Sequence, residues 1–113
     1  MADEDRTYQA KLRYAQMSAR KIRPYADLIR GKFADEALEI LSCYPARGAR
    51  FIENVLKSAL ANAEDLRAGN IANLVVSDVR IDGGPMMKRF RPKARGASSP
   101  YLKRMSHITV VVQ

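Results

Sequence analysis

The sequence has little of several residue types on which protein chemistry often depends. Its 113 residues include one cysteine and one histidine, so neither an internal disulfide nor a Cys/His zinc site can form within the chain. Tryptophan is absent and aromatic residues make up 7%, which argues against a platform on which single-stranded nucleic acid stacks. No apolar run approaches the roughly 20 residues that a membrane-spanning helix needs. These absences exclude disulfide-rich, zinc-binding and membrane-spanning classes.

The N-terminal residues are acidic and lack the apolar segment of a secretory signal, so we expect a cytoplasmic protein. Hydrophobic residues make up 47% of the chain, which argues against general disorder, and the length suits one domain. Residues 1–7 match no element and are expected to be disordered.

Positive charge is the most prominent feature that is present. The formal net charge is +8, with 20 Lys and Arg against 12 Asp and Glu. Residues 33–82 are net acidic, whereas residues 11–32 and 83–113 each hold seven cations, and the latter block has no carboxylate. A single charged block is often only a solvated face. The nineteen residues 86–104, however, hold seven cations and no carboxylate, and these cations repel one another unless an anion is present. The composition predicts a polyanion as the partner.

Hydrophobic periodicity predicts the order βαααββ, an α+β domain that ends in an antiparallel pair. The first strand spans 7–17, with Tyr8 and Tyr14 on one face, and the last two strands span 74–82 and 101–112. In the strand at 74–82, alternation places Val76 and Val79 on opposite faces. The β-branched residues 108–112 favour a central position in the sheet.

Three helices are predicted between the first and second strands. The first spans 18–30, with Ser18 as N-cap and Gly31 as a left-handed stop, and Pro24 should kink it or delay its start. Its apolar stripe includes Leu28. The second runs from Asp35, as cap, to about Cys43, which should be a small buried residue. The third carries an apolar stripe from Phe51 to Ala63 that Leu66 extends; it follows a turn at Arg47-Gly48 and ends at Gly69-Asn70.

The connection between the last two strands, residues 83–100, is longer than the usual hairpin loop. Three alternatives fit it: a flexible basic loop, an arm that orders on contact with phosphates, or a long β-hairpin whose strands continue past the core. An isolated two-stranded ribbon is marginally stable in water, so the third alternative needs a partner such as nucleic acid.

Catalytic chemistry finds little support, and we expect no enzyme, no cofactor and no bound metal. His107 lies within an alternating strand, and no nucleophile–base set or Gly-rich phosphate loop is present. Asp78 and Asp82 share a strand face, but such acids are commonly solvated or paired with a neighbouring cation such as Arg80.

Several segments together resemble the bacterial large-subunit ribosomal protein family numbered twenty-two. Ser18-Ala19-Arg20-Lys21-Ile22-Arg23 and residues 26–32 are similar to its first helix, and residues 37–41 and 58–64 to its second and third. Gly84-Pro85-Met86-Met87-Lys88-Arg89 and residues 92–96 are similar to its hairpin tip, and residues 103–112 to its closing strand. The ordered series spans residues 8–112.

The resemblance implies three helices packed on a small antiparallel sheet, with a long protruding β-hairpin. It implies one domain, in which residues 8–82 and 101–113 form the body and residues 83–100 form the hairpin. The implied function is that of a structural constituent of the large ribosomal subunit. It would bind 23S rRNA, assist early assembly and line the nascent-peptide exit tunnel. The implied partners are 23S rRNA, neighbouring large-subunit proteins and the nascent peptide, without membrane or DNA.

The candidate site residues fall into two sets. The tunnel-lining tip is expected to comprise Met86, Met87, Lys88, Arg89, Phe90, Arg91, Pro92, Lys93, Ala94 and Arg95. The rRNA-binding set is expected to comprise Lys11, Arg13, Ser18, Arg20, Lys21, Arg23, Arg30, Lys32, Lys88, Arg89, Arg91, Lys93, Arg95, Lys103 and Arg104. Recognition should depend on shape and phosphates. The alternatives are a small RNA chaperone or regulator, and a basic protein of the membrane surface.

Overall fold

The structure is a computed structural model that describes residues 7–66 and 73–113. The expectation of disorder covers residues 1–7, of which 1–6 lie outside the described residues, and so does the helix end predicted at Gly69-Asn70.

The elements follow the predicted order βαααββ, and the α+β class is confirmed. They are β1 (Tyr8–Ala15), α1 (Ala19–Ile29), α2 (Ala34–Ser42), α3 (Arg47–Asp65), β2 (Val76–Pro92) and β3 (Ser98–Val112), with a 3-10 turn at Ala94–Gly96.

The sheet is antiparallel with the order β1-β3-β2, so the closing strand is central as its β-branched end predicts. The three helices contact one another and the sheet. Helix α3 approaches β1 and β3 closely because its buried face is rich in small residues, among them Ala49, Ala59 and Ala63. The fully buried Ile108, Val110 and Val112 of β3 complete the core beneath it.

Three irregularities shift the register of the sheet. In β1 the shift lies between Leu12 and Ala15, and β2 has shifts between Val76 and Asp78 and between Gly83 and Met86. An extra residue in one strand reverses which face each later side chain occupies. The face assignments made by simple alternation are therefore wrong at two places. Tyr14 is exposed and its neighbour Ala15 is buried, and Val76 is buried on the same side as Val79.

The helix termini differ from the predictions in detail. Ser18 is the N-cap of α1, but its hydroxyl makes no capping hydrogen bond. Phe33, not Asp35, is the N-cap of α2, and Asp35 lies in its first turn. Arg47 and Gly48 belong to the first turn of α3 instead of the preceding turn. These shifts of one or two residues leave the order of elements unchanged.

The prediction that Pro24 delays the start of α1 is wrong, because the helix already begins at Ala19 and continues through the proline. Gly31 follows with φ of +85°, the left-handed conformation predicted for it. The apolar stripes are narrower than predicted. Leu28 is 39% exposed, Leu66 is 62% exposed, and Cys43 lies exposed at the end of α2.

The predicted long connection is a β-hairpin, which is the third of the alternatives for residues 83–100. Pairing of β2 with β3 continues from Met86↔Arg104 to Pro92↔Ser98, well beyond the part of the sheet that the helices cover. We call residues 86–104 the arm. It gives the molecule dimensions of 66 × 28 × 19 Å.

Candidate nucleic-acid interface

The arm begins at a bulge that brings two strand backbones close together. Gly84 and Pro85 of β2 lie opposite the single residue Met105 of β3. A Cβ atom at Gly84 would lie 3.2 Å from the carbonyl carbon and oxygen of Met105, so a side chain there would require the two backbones to move apart by a few tenths of an ångström. Pro85 is tolerated next to it because residues in a bulge are not paired with the neighbouring strand, so the N–H that proline lacks removes no hydrogen bond from the sheet. This bulge fixes where the arm leaves the body.

The turn at the end of the arm is compact. The Lys93 N–H donates to the Ala97 carbonyl at 2.6 Å, and Arg95 and Gly96 between them both have positive φ. The predicted tip therefore divides into two parts. Met86 to Pro92 lie along the outgoing strand, and Lys93, Ala94 and Arg95 form the turn.

Cations cover both faces of the arm. Cross-strand pairing places Arg89 and Arg91 on one face with Lys103, whereas Lys88 shares the other face with Arg104. All seven cations of the arm are exposed, and none belongs to an ion pair within residues 7–66 and 73–113. Exposed cations without carboxylate partners are suited to phosphates, whose binding releases counterions.

Apolar side chains lie exposed among these cations. Phe90 is 64% exposed and Met86 is 56% exposed, and both lie on the same face as Leu102. The Arg91 guanidinium lies over the Tyr101 ring, 4.8 Å from its centroid, and the Arg89 guanidinium donates to Met87 Sδ at 3.2 Å. These contacts hold two arginine side chains along the strand while leaving them open to solvent.

At the base of the arm, two cavities lie on either side of Arg104. One, of about 420 Å³, lies between the N-terminus of α1 and the bulge; its lining includes Ser18, Arg20, Arg23 and Gly84. The other, of about 390 Å³, is lined by Gln16, Met17, Ser18, Lys21, Arg47, Leu102 and Arg104. No carboxylate lines either cavity. We call Ser18, Arg20, Lys21, Arg47 and Arg104 the root cluster.

The root cluster suits an anion for three reasons. Its side chains bring four cations to two cavities that share Ser18 and Arg104, and the N-terminus of α1 adds the positive end of a helix dipole. The Ser18 hydroxyl is not used for capping, so it too can donate to a phosphate oxygen.

Arg47 is the member of the root cluster that was absent from the sequence-based set. It belongs to the net acidic block 33–82, so the distribution of charge along the chain does not predict a phosphate-binding role for it. Its guanidinium lies 5.4 Å from the centroid of the Phe51 ring, one turn along α3. In the sequence, the spacing of Arg47 and Phe51 by four residues predicts only that the two side chains can meet on one helix face, which is a weak indication of a binding site.

Two of the predicted site residues also have hydrogen-bond partners within the protein. The Arg23 guanidinium donates to the Ile81 carbonyl at 3.0 and 3.3 Å. The Arg30 guanidinium donates to the Val79 carbonyl at 2.6 Å and pairs with Asp27 at 2.6 Å. Both carbonyls belong to β2, which is an edge strand, so these arginines attach α1 to the sheet edge.

The remaining predicted residues lie apart from the arm and the root. Lys32 is exposed just after α1. Lys11 and Arg13 are exposed on β1 and line a cleft of about 290 Å³ together with Tyr14, Asp82, His107 and Thr109. The structure thus groups the predicted cations into an arm, a root and a smaller cleft.

No catalytic arrangement is formed by the residues considered for it. His107 accepts the Tyr14 N–H on Nδ1, Cys43 is exposed at a helix end, and Asp78 pairs with Arg80 at 3.0 Å. In the part of the chain that the structure describes, no three His, Cys, Asp or Glu side chains lie close enough together to hold a metal ion. None of the described helices is long and apolar enough to cross a membrane.

Comparison with known proteins gives a consistent result. Residues 10–113 match the model of the family described as ribosomal protein L22p/L17e. The chain is 52% identical over 104 residues to the large ribosomal subunit protein uL22 of Caldicellulosiruptor saccharolyticus, covering 92% of this chain and 85% of that protein. It is 51% identical over 108 residues to the same-named protein of Rhodopirellula baltica, covering 91% of each. For that of Ligilactobacillus salivarius the identity is 48% over 112 residues, covering 99% and 97%.

Proposed function

Because the chain belongs to the ribosomal protein L22p/L17e family, we propose that it is built into the large ribosomal subunit and binds 23S rRNA there. Proteins of this ribosomal family are structural components and not enzymes. The observation that carries the rRNA-binding proposal is the arm, in which seven exposed cations occur with no carboxylate.

The proposal divides the work between two parts of the molecule. The part of the protein outside the arm forms the body, which anchors the protein at the root cluster: Arg20, Lys21 and Arg47 hold phosphates together with Arg104 at the base of the arm. The arm extends from that anchor into folded RNA, which neutralises its charge and orders it. A two-stranded ribbon without a core needs such a partner to be stable.

Recognition in this proposal depends mainly on phosphates and shape. Side chains cannot read the deep major groove of an RNA helix, whereas phosphates present a regular pattern of charge. Because the two strands of the arm carry cations on both faces, it suits a site with RNA on more than one side. Contacts to several RNA segments would in turn favour an early place in subunit assembly.

Sedimentation tests the proposal as a whole. A tagged copy produced in bacteria should sediment with the large subunit at one copy per particle, and it should remain there after a high-salt wash. Recovery with many unrelated RNAs would indicate an RNA chaperone or regulator instead. Recovery with vesicles of anionic lipid, and not with subunits, would indicate a membrane-surface protein. Either result would contradict the proposal.

We further propose that the end of the arm lines the nascent-peptide tunnel. A photoreactive amino acid placed at Arg91 should then capture the nascent chain of a stalled ribosome. The same group at Lys57, which is exposed on α3 and paired with Glu53, serves as the control and should capture none. Equal capture from both positions, or capture from Lys57 alone, would contradict the tunnel assignment.

A further inference from the structure

The β1 bulge turns one aromatic side chain out of the sheet. Arg13 and Tyr14 together lie opposite the single residue His107, between the pairs Leu12↔Ile108 and Ala15↔Ser106. Tyr14 has φ of 62°, a left-handed conformation that is uncommon for a bulky residue. Tyr14 is 59% exposed as a result. Bulges and strained residues of this kind are concentrated at sites where a side chain must be aimed.

His107 holds Tyr14 in this position. The Tyr14 N–H donates to His107 Nδ1 at 3.1 Å, and the two rings meet edge to face with centroids 5.1 Å apart and planes at 84°. Because Nδ1 accepts this bond, the neutral ring carries its proton on Nε2. The exposed ring is therefore fixed to the central strand of the sheet before any ligand arrives, which lowers the entropy cost of binding.

The surroundings of Tyr14 supply the groups that a nucleotide requires. The cleft of about 290 Å³ beside it is lined by Lys11, Arg13, Asp82 and Thr109 as well as by Tyr14 and His107. Lys11 and Arg13 are exposed and belong to no ion pair among the described residues, so both are available to phosphates. Asp82 is the one carboxylate of the lining, and carboxylates accept hydrogen bonds from base amino groups.

We propose that Tyr14 stacks on one unpaired RNA base, that Lys11 and Arg13 hold its flanking phosphates, and that Asp82 accepts from its amino group. This inference rests on the proposed function, because it takes the ligand to be the RNA that the arm and root bind. It adds one base-specific contact to an interface otherwise made to phosphates. An amino group is present on adenine, cytosine and guanine and absent from uracil.

Binding of purified 23S rRNA to two Tyr14 variants tests the stacking. Tyr14→Phe keeps the ring and should bind as the wild type does. Tyr14→Gly removes the ring but accepts the positive φ, so the fold is retained and the dissociation constant should rise about tenfold. Tyr44→Leu is the matched control, because it removes another exposed tyrosine ring and should change nothing.

The salt dependence separates stacking from charge. Tyr14→Gly should leave the slope of log Kd against log salt unchanged, since no cation is removed, whereas Lys11→Gln should lower it. If Tyr14→Gly binds as tightly as wild type while wild-type binding is steeply salt-dependent, the stacking inference is wrong and the proposed function stands. If the wild type does not bind the rRNA, both are wrong.

Ultraviolet crosslinking of the wild-type complex identifies the base. Mass spectrometry should find a nucleotide attached to Tyr14, and that nucleotide should be adenosine, cytidine or guanosine. A uridine adduct would contradict the role given to Asp82. Adducts on the arm at Phe90 without any at Tyr14 would contradict the site itself.

Discussion

The arginines along α1 and at its C-cap perform two different tasks. Arg23 donates to the Ile81 carbonyl, and Arg30 reaches the Val79 carbonyl from the far end of the helix. Their acceptors lie on the open edge of β2, where unpaired carbonyls would otherwise face solvent or another chain. Arg20 has no such partner within the described residues and lines the cavity beside Arg104.

This difference predicts different costs of substitution. Arg23→Met should lower the free energy of unfolding by about 1 kcal/mol, because it removes the hydrogen bonds to the Ile81 carbonyl. Arg20→Met, the control on the same helix, should leave stability unchanged and weaken rRNA binding. Urea unfolding followed by circular dichroism measures the first effect. Equal stability of the two variants would refute a structural role for Arg23.

The two neighbouring glycines at the base of the arm, Gly83 and Gly84, are expected to respond differently to substitution by alanine. Gly84→Ala places a Cβ atom 3.2 Å from the Met105 backbone, whereas a Cβ at Gly83 meets nothing within 4 Å. We expect Gly84→Ala to destabilise the protein by about 1–2 kcal/mol. Gly83→Ala should be neutral or slightly stabilising, because it restricts the unfolded chain. Thermal unfolding of both variants checks this, and a larger loss for Gly83→Ala would contradict the bulge geometry.

Among the elements, the arm is distinctive because it adds cross-strand pairs without adding to the core. Beyond Met86 and Arg104 its residues are exposed or half-buried, and the buried cluster lies in the helices and the covered part of the sheet. Its own contacts are therefore expected to contribute little to the stability of the body.

A shortened variant tests this directly. Met86 and Arg104 are cross-strand partners, so replacing residues 87–103 with Asn-Gly closes the hairpin with a two-residue turn. This variant should unfold cooperatively, with a midpoint temperature within a few degrees of the full chain. Loss of a cooperative transition would show that the arm belongs to the folding unit and that the division into body and arm is wrong.

The elements themselves could largely be predicted from the sequence, because each carries its own periodicity. The stripe of α3 and the β-branched end of β3 determine both type and burial. The bulges could not be predicted, since an extra residue in a strand depends on what the partner strand presents. Tyr14 and Val76 were consequently assigned to the wrong faces, and the cleft beside Tyr14 remained unseen.

The candidate site was predictable only where its residues are close together in sequence. The arm cations stand in an acid-free block, which linear charge analysis detects. Arg47 joins Lys21 and Arg104 only through tertiary folding, because α3 lies far from both in sequence. Conversely, Arg23 and Arg30 have the charge of phosphate ligands, and only the packing of α1 on β2 gives them carbonyl partners.

On the scale of the whole molecule, both the distribution of charge and the shape separate the arm from the body. The acid-free block contains the part that protrudes, residues 86–104, and the radius of gyration of 17.4 Å exceeds the roughly 13 Å of a compact domain of about 100 residues. Small-angle X-ray scattering should give a clearly larger radius of gyration for the free full chain than for the shortened variant, whether or not the strands of the protruding arm stay paired without RNA. Equal values would show that the arm folds back on the body in solution.

The central claim is that the arm and the root bind RNA by neutralising phosphates, and salt-dependent binding tests it most directly. Dissociation constants for purified 23S rRNA should be measured across a potassium chloride series for the full chain and for the variant lacking residues 87–103. The full chain should lose affinity steeply with salt, and the variant should show a clearly shallower slope because six cations are missing. Identical slopes for the two proteins would contradict the account.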